Sequence, residues 1–199
     1  MISSGLSKWC GAGGWRLGTL CFPKDLAWLQ RAVAAAASET FTSVSAPIQY
    51  AAISAFQRNN EIDNFLFHQA RILRALGSEV YRRLRRANVE LQAPSGGFYV
   101  WMDFQNLSDS LQKRGILSSP ELCERLLQDT GVAILPGSSF EREENELTAR
   151  LSYVNFDGKQ ALLESQKIPK DHDLNLHFLE NHCGPVLEGI DQLCQWLHS

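Results

Sequence analysis

Two basic residues eight positions apart, Lys8 and Arg16, lie in a glycine-rich segment near the start of the chain, SSGLSKWCGAGGWRLG at residues 3–18. A lysine amine can attack a carbonyl carbon when burial or a nearby cation lowers its pKa. The planar guanidinium of an arginine suits a phosphate, and backbone amides of a glycine-rich loop bind the same anion. We expect such amides at Gly11, Gly13 and Gly14. Together these groups predict a site for a phosphorylated aldehyde, and pyridoxal phosphate is such a molecule.

The composition is typical of a globular protein with one generous domain, or one domain and part of another. Its 199 residues are 44% hydrophobic and 21% charged. A net charge of −3 gives no reason to expect nucleic acid or an anionic membrane surface as a partner. The sequence has no secretory signal pattern and no apolar run of about 20 residues. These features predict a cytoplasmic protein.

The cysteines and histidines do not show a metal-binding pattern. The five cysteines are widely separated, which favours reduced, packed thiols over disulfides. His172, His177 and His182 are spaced by five residues and so do not share one helical face. No cysteine pair has the spacing of a zinc site. We therefore expect no metal centre.

The first third of the chain predicts one strand followed by helices. Residues 15–22, WRLGTLCF, are apolar and end at Pro23, which is typical of a strand buried on both faces. Helices are expected over residues 24–40 and after Pro47. A buried strand needs partners for its backbone groups, yet no strand is predicted before it. Its partners would have to come from another chain or from an absent upstream portion.

A long amphipathic helix is predicted over residues 61–87. Apolar residues recur there at spacings of three, four or seven, and arginines occupy the other face. At about 1.5 Å per residue it would reach roughly 40 Å, which is enough to bridge two domains. The cluster RRLRR at residues 82–86 favours a solvated helix face over a nucleic-acid site, because no aromatic residues are interleaved with it.

The second half mixes strand and helix signals, so the chain as a whole predicts a mixed α and β (α/β) architecture. A helix is expected over residues 119–130, with Ser119 as cap and Gly131 as its end, and another over 185–197. Residues 167–183 are expected to form a surface loop. The strand candidates are VELQ, GGFYVWMDF, GVAILPG and LTARLSYVNF.

Several motifs resemble those of one enzyme family. Ser7-Lys8, followed after seven residues by Arg16-Leu17-Gly18, is similar to the cofactor-lysine motif of the class I and II aminotransferases, which are fold-type-I pyridoxal-phosphate enzymes. Four further motifs follow in the family's order, and the resemblance extends from residue 3 to about 158. These motifs are SAPIQYAA, APSGGFYVWMDF, GVAILPGSSF and ARLSYVNF.

The resemblance implies a role for each matched residue. Lys8 would hold pyridoxal 5'-phosphate as an internal imine, with Ser7 and Arg16 as further cofactor-binding residues, Arg16 at the phosphate. Arg150 matches the arginine that grips the substrate α-carboxylate. The implied reaction moves an amino group between an amino acid and a 2-oxo acid, and family members are typically homodimers.

The resemblance also implies a domain organisation. Residues 1–74 would be the end of the large, cofactor-binding domain, and residues 75–199 the complete small C-terminal α+β domain, with the long helix as the bridge. The absent upstream half would supply the aspartate at the pyridine nitrogen and the aromatic residue that stacks on the ring. We therefore expect the 199-residue chain alone to have little or no turnover.

Two departures from the family pattern stand out, and two other functions stay open. Gly5 stands where the family often has a phosphate-binding serine, and Glu141 replaces a glycine after PGSSF. Related pyridoxal-phosphate chemistry, such as decarboxylation or elimination, uses the same lysine. The chain could also be a truncated, non-catalytic product that acts as an interaction or regulatory module.

Overall fold

A computed structural model describes residues 1–57 and 59–199. The chain divides into two compact units, Met1–Phe67 and His68–Ser199. Both contain helices and strands, which confirms the predicted mixed α and β architecture. Among the described helices, none has the length and apolarity required to cross a membrane.

The first unit contains a two-stranded antiparallel sheet and short helices. Strands β1 and β2 pair from Ile2 with Cys21 to Gly5 with Gly18. Single 3₁₀ turns cover Gly13–Trp15 and Lys24–Leu26. In chain order the elements are β1 (Ile2–Gly5), α1 (Leu6–Trp9), β2 (Gly18–Cys21), α2 (Ala27–Thr40), α3 (Ala46–Phe56) and the start of α4 (Asn60–Arg86).

The expected strand at residues 15–22 is shorter and more exposed than its composition suggested. It begins only at Gly18, because residues 13–15 form a 3₁₀ turn and Arg16 adopts a left-handed conformation with φ 53°. Its partner β1 lies in the segment that we expected to be a loop, and Leu20 is 45% exposed. The prediction of a strand buried on both faces, with no partner before it, was therefore wrong.

The first unit has a small apolar core. Leu6, Leu17 and Ala52 are buried, and side chains such as Trp9 and Ile48 pack against them. Helix α2 contains no buried residue. Because the core is small, large apolar side chains are exposed in this unit, including Trp28 of α2 at 61% and Tyr50 of α3 at 75%.

The second unit contains most of α4, a three-stranded sheet and four further helices. The sheet order is β3-β5-β4 and all pairs are antiparallel. Single 3₁₀ turns cover Gln105–Leu107 and Gly137–Phe140. After α4 the elements are β3 (Tyr99–Asp103), α5 (Ser108–Lys113), α6 (Ser119–Thr130), β4 (Leu135–Pro136), β5 (Thr148–Ser152), α7 (Gly158–Gln166) and α8 (Leu176–Leu197).

The core of the second unit is large and continuous. The apolar stripe of α4, which includes Leu76, Val80 and Leu84, belongs to the same buried cluster as one face of the sheet. Val100 and Met102 of β3 lie on this face, whereas Trp101 between them is 37% exposed. Because side chains alternate along a strand, the neighbours Tyr99 and Trp101 share the opposite face.

The structure differs from the expected elements at three places in this unit. VELQ contributes a single bridge, between Glu90 and Asp103, rather than a strand. Ser118, not Ser119, caps α6, since its hydroxyl accepts a hydrogen bond from the Glu121 amide at 3.4 Å. The expected loop over 167–183 ends early, because α8 begins at Leu176 and is kinked at Cys183, two residues before a proline.

Candidate cofactor and substrate residues

The segment that carries Lys8 and Arg16 is a loop closed at its own base. The Leu6 amide donates a hydrogen bond to the Leu17 carbonyl at 3.1 Å, and the Ala12 amide donates to the Leu6 carbonyl at 3.0 Å. Leu6 and Leu17 are both buried in the small core. These contacts hold residues 6–17, which we call the closed loop, as one local unit.

Lys8 lies in a short helix rather than in an open loop. It is the third of the four residues of α1, and its side chain is exposed. The Gly11 amide donates to the Lys8 carbonyl at 3.2 Å, and Gly11 has φ 65°. The Gly11 amide, one of the three that we expected to bind an anion, therefore donates within the chain at the end of the helix.

Arg16 lies at the other end of the closed loop. Its Nη1 donates to the Gly13 carbonyl at 3.0 Å, and the residue is exposed. This bond uses one of the five N–H groups of the guanidinium. A Cβ built at Gly13 would lie 3.8 Å from the Ser7 carbonyl oxygen, so the turn that holds Arg16 runs beside the residue preceding Lys8.

Gly5, the departure from the family's serine, has a structural explanation. It is the N-cap of α1 and pairs with Gly18 at the point where β1 and β2 meet the closed loop. A Cβ at Gly5 would approach the Leu17 carbonyl oxygen to 3.1 Å. A serine here would require the Leu17 backbone to shift by a few tenths of an ångström.

Arg150 lies in the middle of β5, in the second unit. It is half-buried and pairs with Trp101 on one side and Leu135 on the other. Its Cζ atom lies 4.4 Å from the centroid of the Tyr99 ring and 4.5 Å from that of the Phe140 ring. Both distances are within the range of cation–π attraction. We call Tyr99 and Phe140 the aromatic clamp.

The sheet brings the aromatic clamp to Arg150. Tyr99 and Trp101 share the face of β3 opposite the core, and the register sets Trp101 directly across from Arg150. Phe140 ends the 3₁₀ turn that follows β4, and its ring centroid lies 5.4 Å from that of Trp101, with the two ring planes nearly perpendicular. Sequence reasoning missed these roles. The alternation in YVWMD was the available signal, but it does not reveal the register.

Arg150 differs electrostatically from a paired surface arginine. In residues 1–57 and 59–199, no carboxylate lies within 4.0 Å of its guanidinium, and no side-chain hydrogen bond from it is formed. Arg83 instead contacts Glu79 at 2.7 Å and Asp191 at 2.6 Å. The charge of Arg150 is therefore stabilised by ring faces.

Glu141 follows Phe140 with φ 61°, in the left-handed region that favours glycine. The residue that replaces the family's glycine thus retains the glycine-like conformation. Its side chain is exposed, so the acidic run adds negative charge to the surface of this turn.

The described part of the chain contains no group of three or more histidine, cysteine, aspartate or glutamate residues arranged to hold a metal ion. All five cysteines are free thiols. Burial raises the pKa of Cys123 to about 12 and that of Cys183 to about 11. These two thiols are therefore protonated near neutral pH and poorly nucleophilic.

Comparisons with known proteins identify the family of this chain. The family model described as aminotransferase class I and II matches residues 1–161. The chain is 34% identical over 162 residues to a valine–pyruvate aminotransferase of Mycobacterium tuberculosis, covering 79% of this chain and 38% of that enzyme. It is 31% identical over 154 residues to a probable N-acetyl-LL-diaminopimelate aminotransferase of Bacillus subtilis, covering 77% and 35% of the two chains.

A solved structure shows the same fold at lower identity. The aromatic aminotransferase of Pyrococcus horikoshii superposes with a TM-score of 0.68 at 21% identity, over 98% of this chain and 42% of that one. The chain thus spans about two fifths of the length of the proteins it matches. On the family match over residues 1–161, this chain belongs to the class I and II aminotransferase family.

Proposed function

We propose that this chain supplies the C-terminal part of a pyridoxal-phosphate-dependent aminotransferase, which moves an amino group between an amino acid and a 2-oxo acid. The observation that carries the proposal is the closed loop. It presents Ser7, Lys8 and Arg16 on one short segment whose base is fixed by the bond between Leu6 and Leu17. The spacing of the two basic residues is that of the family motif.

The donor set of the closed loop fits pyridoxal phosphate. Lys8 is an exposed amine, and Arg16 is an exposed guanidinium with N–H groups beyond the one bound to Gly13. The amine suits an aldehyde carbon, and the guanidinium together with the Ser7 hydroxyl suits a phosphate. When bound, the cofactor supplies an electron sink for the substrate α-carbon.

Arg150 would bind the substrate α-carboxylate. A guanidinium offers two parallel N–H groups to a carboxylate, a geometry that lysine does not reproduce. The side chain meets no acidic partner in the described structure that would compete for those groups. Binding there would fix the orientation of the substrate before its bonds change.

Lys8 would also move the proton that the reaction requires. Its amine Nζ would take the proton from the substrate α-carbon and later return it, so the residue that would hold the cofactor would also act as the general base. The aspartate at the pyridine nitrogen, which the family resemblance implies, has no counterpart in the matched motifs. For that reason we propose that the 199-residue chain alone turns over slowly or not at all. Because members of the family are typically homodimers, we also propose that the complete enzyme is a homodimer.

A spectroscopic experiment tests the role of Lys8. Pyridoxal phosphate added to the purified chain is expected to give an absorbance band near the visible edge. Borohydride reduction should fix the cofactor on Lys8, as located by peptide mass spectrometry. The variant Lys8→Ala should lose the band and the labelled peptide. The matched variant Lys24→Ala removes another exposed lysine of the same unit and should keep both.

Two results would contradict the proposal. Label spread over surface lysines, with Lys8→Ala unchanged, would exclude the cofactor role and favour a non-catalytic module. Rapid transamination by the purified chain would contradict the expected low turnover, although it would support the assignment of the reaction.

A further inference from the structure

We propose that Tyr99 and Phe140 are positioning residues for Arg150: their rings hold the guanidinium through cation–π contacts in place of an acidic partner, and so leave its N–H groups for a carboxylate. The inference deepens the proposed function, because it rests on the carboxylate-binding role of Arg150. The clamp itself is a property of this chain's own residues.

The geometry separates the two kinds of contact. Ring centroids at 4.4 and 4.5 Å from Cζ place both rings against the guanidinium group. In a cation–π contact the positive charge lies over the face of the aromatic ring, which is a much weaker hydrogen-bond acceptor than a carboxylate, whereas a carboxylate accepts two parallel N–H bonds from the guanidinium. Ring contacts and carboxylate binding therefore do not compete for the same groups.

Three other arginines of the second unit, Arg71, Arg83 and Arg114, use their N–H groups for internal contacts. Arg71 donates to backbone carbonyls, and Arg83 pairs with Glu79 and Asp191. Arg114 also stacks on a ring, with its Cζ 4.1 Å from the Trp196 centroid, but its Nη1 donates to the Trp196 carbonyl at 2.7 Å. Arg150 combines two ring contacts with a guanidinium whose N–H groups donate to no described residue.

The clamp stands on fixed elements. Tyr99 lies on β3, which pairs with β5 along five consecutive positions. Phe140 in turn packs against Trp101, with the two ring planes at 79°. An arginine side chain that its neighbours already restrain loses less conformational entropy when a ligand binds.

Nuclear magnetic resonance of the full chain, with labelled arginine, tests the inference. The Arg150 guanidinium signals are assigned by their loss in Arg150→Lys. Phe140→Leu and Tyr99→Leu should each remove part of the ring-induced shift and speed rotation about the Nε–Cζ bond. Phe140→Tyr and Tyr99→Phe keep a ring and should restore the wild-type signature. Phe41→Leu, the same change at an exposed phenylalanine of the first unit, should leave these signals unchanged.

Titration with acetate and with pyruvate, against chloride at equal ionic strength, adds the functional readout. The wild-type Arg150 signals should shift on binding, and the two leucine variants should bind about three- to tenfold more weakly. Unchanged Arg150 signals and affinity in both leucine variants, with the remaining spectrum native, would overturn the inference. If the leucine variants release the side chain but the wild type binds neither carboxylate, the clamp stands and the proposed role of Arg150 fails.

Discussion

At the scale of single residues, close contacts decide which side chains the fold accepts. Gly77 of α4 faces Tyr153, a fully buried residue whose hydroxyl donates to the Gly97 carbonyl at 3.1 Å. A Cβ at Gly77 would lie 2.9 Å from the Tyr153 hydroxyl oxygen and 3.1 Å from the ring of Pro94. The glycine is therefore required by space rather than by backbone conformation.

Gly77→Ala is expected to destabilise the second unit by about 2 kcal/mol, because the overpacked tyrosine must move and its hydrogen bond is disturbed. Gly189→Ala is a matched control in α8, where a Cβ would meet only a Val132 methyl at 3.9 Å. It should be neutral or stabilise by up to about 1 kcal/mol, since alanine favours helix. Urea denaturation measures both, and equal effects would disprove the steric explanation.

At the scale of elements, α4 is joined to the end of α7 by one buried cation. Arg71 donates to the carbonyls of Ser165, Ile168, Pro169 and His172, with the Ile168 bond at 3.1 Å and the Pro169 bond at 2.8 Å. Ser165 lies in the last turn of α7, whereas Ile168, Pro169 and His172 lie in the chain that follows it. The Arg71 guanidinium therefore joins both the end of α7 and the following chain to α4.

Arg71→Met should therefore lower the free energy of unfolding by about 3 kcal/mol, because carbonyls lose a charged donor at a buried site. Arg74→Met, at an exposed position three residues later on the same helix, should change it by less than about 0.5 kcal/mol. Denaturation supplies the energies, and hydrogen exchange should show lost protection over residues 165–172. Protection there that survives in Arg71→Met would refute the explanation.

His68 makes the same region sensitive to pH. Burial lowers the pKa of its imidazole, and the positive charges of Arg71 and Lys170 lower it further, while its Nδ1 lies 2.8 Å from the Ser165 hydroxyl. The folded protein thus favours neutral His68, and the unfolded chain binds a proton near pH 6.5. The contribution of His68 to the free energy of unfolding is therefore fully present above about pH 6.5 and is lost as the pH falls below that value.

The expected result is a free energy of unfolding that declines as the pH falls below about 6.5, with a smaller decline in His68→Gln, whose side chain does not titrate. His198→Gln, which changes an exposed histidine, should follow the wild type. Urea titrations across this range provide the measurement. Identical slopes for wild type and His68→Gln would show that this imidazole does not contribute.

The elements also show what the sequence could and could not predict. The helix predicted over 61–87 corresponds to α4, because its apolar stripe is long and regular and its partners need not be known. Lys8, Arg16 and Arg150 could be named because a local motif carries them. The aromatic clamp could not, since it depends on the β3–β5 register and on the path of the chain after β4. The burial of the strand at 18–21 was predicted wrongly, because it depends on what packs against the strand, which the local sequence does not reveal.

At the scale of the whole molecule, the two units have unequal cores. In the described residues of the first unit, the buried apolar cluster is Leu6, Leu17 and Ala52, whereas the cluster of the second unit extends over α4, the sheet, α6 and α8. Apolar burial is the dominant stabilising contribution, so the two units should differ in local stability.

We therefore expect amides of α2 to exchange with solvent on the order of a hundredfold faster than those of α4 between Ile72 and Leu84. Leu84→Ala removes a fully buried side chain and should cost about 3 kcal/mol in the second unit, without changing exchange in α2. Hydrogen exchange followed by mass spectrometry resolves the two segments. A single transition shared by both would contradict unequal stability.

The hydrogen bond between Leu6 and Leu17 has a consequence for how this segment tolerates change. Since both ends are anchored, adding or deleting one residue between Lys8 and Arg16 would displace the amine relative to the guanidinium, whereas exchanging the exposed side chain of Trp15 would leave the backbone path intact. In this short stretch the number of residues is therefore more tightly constrained than their identity.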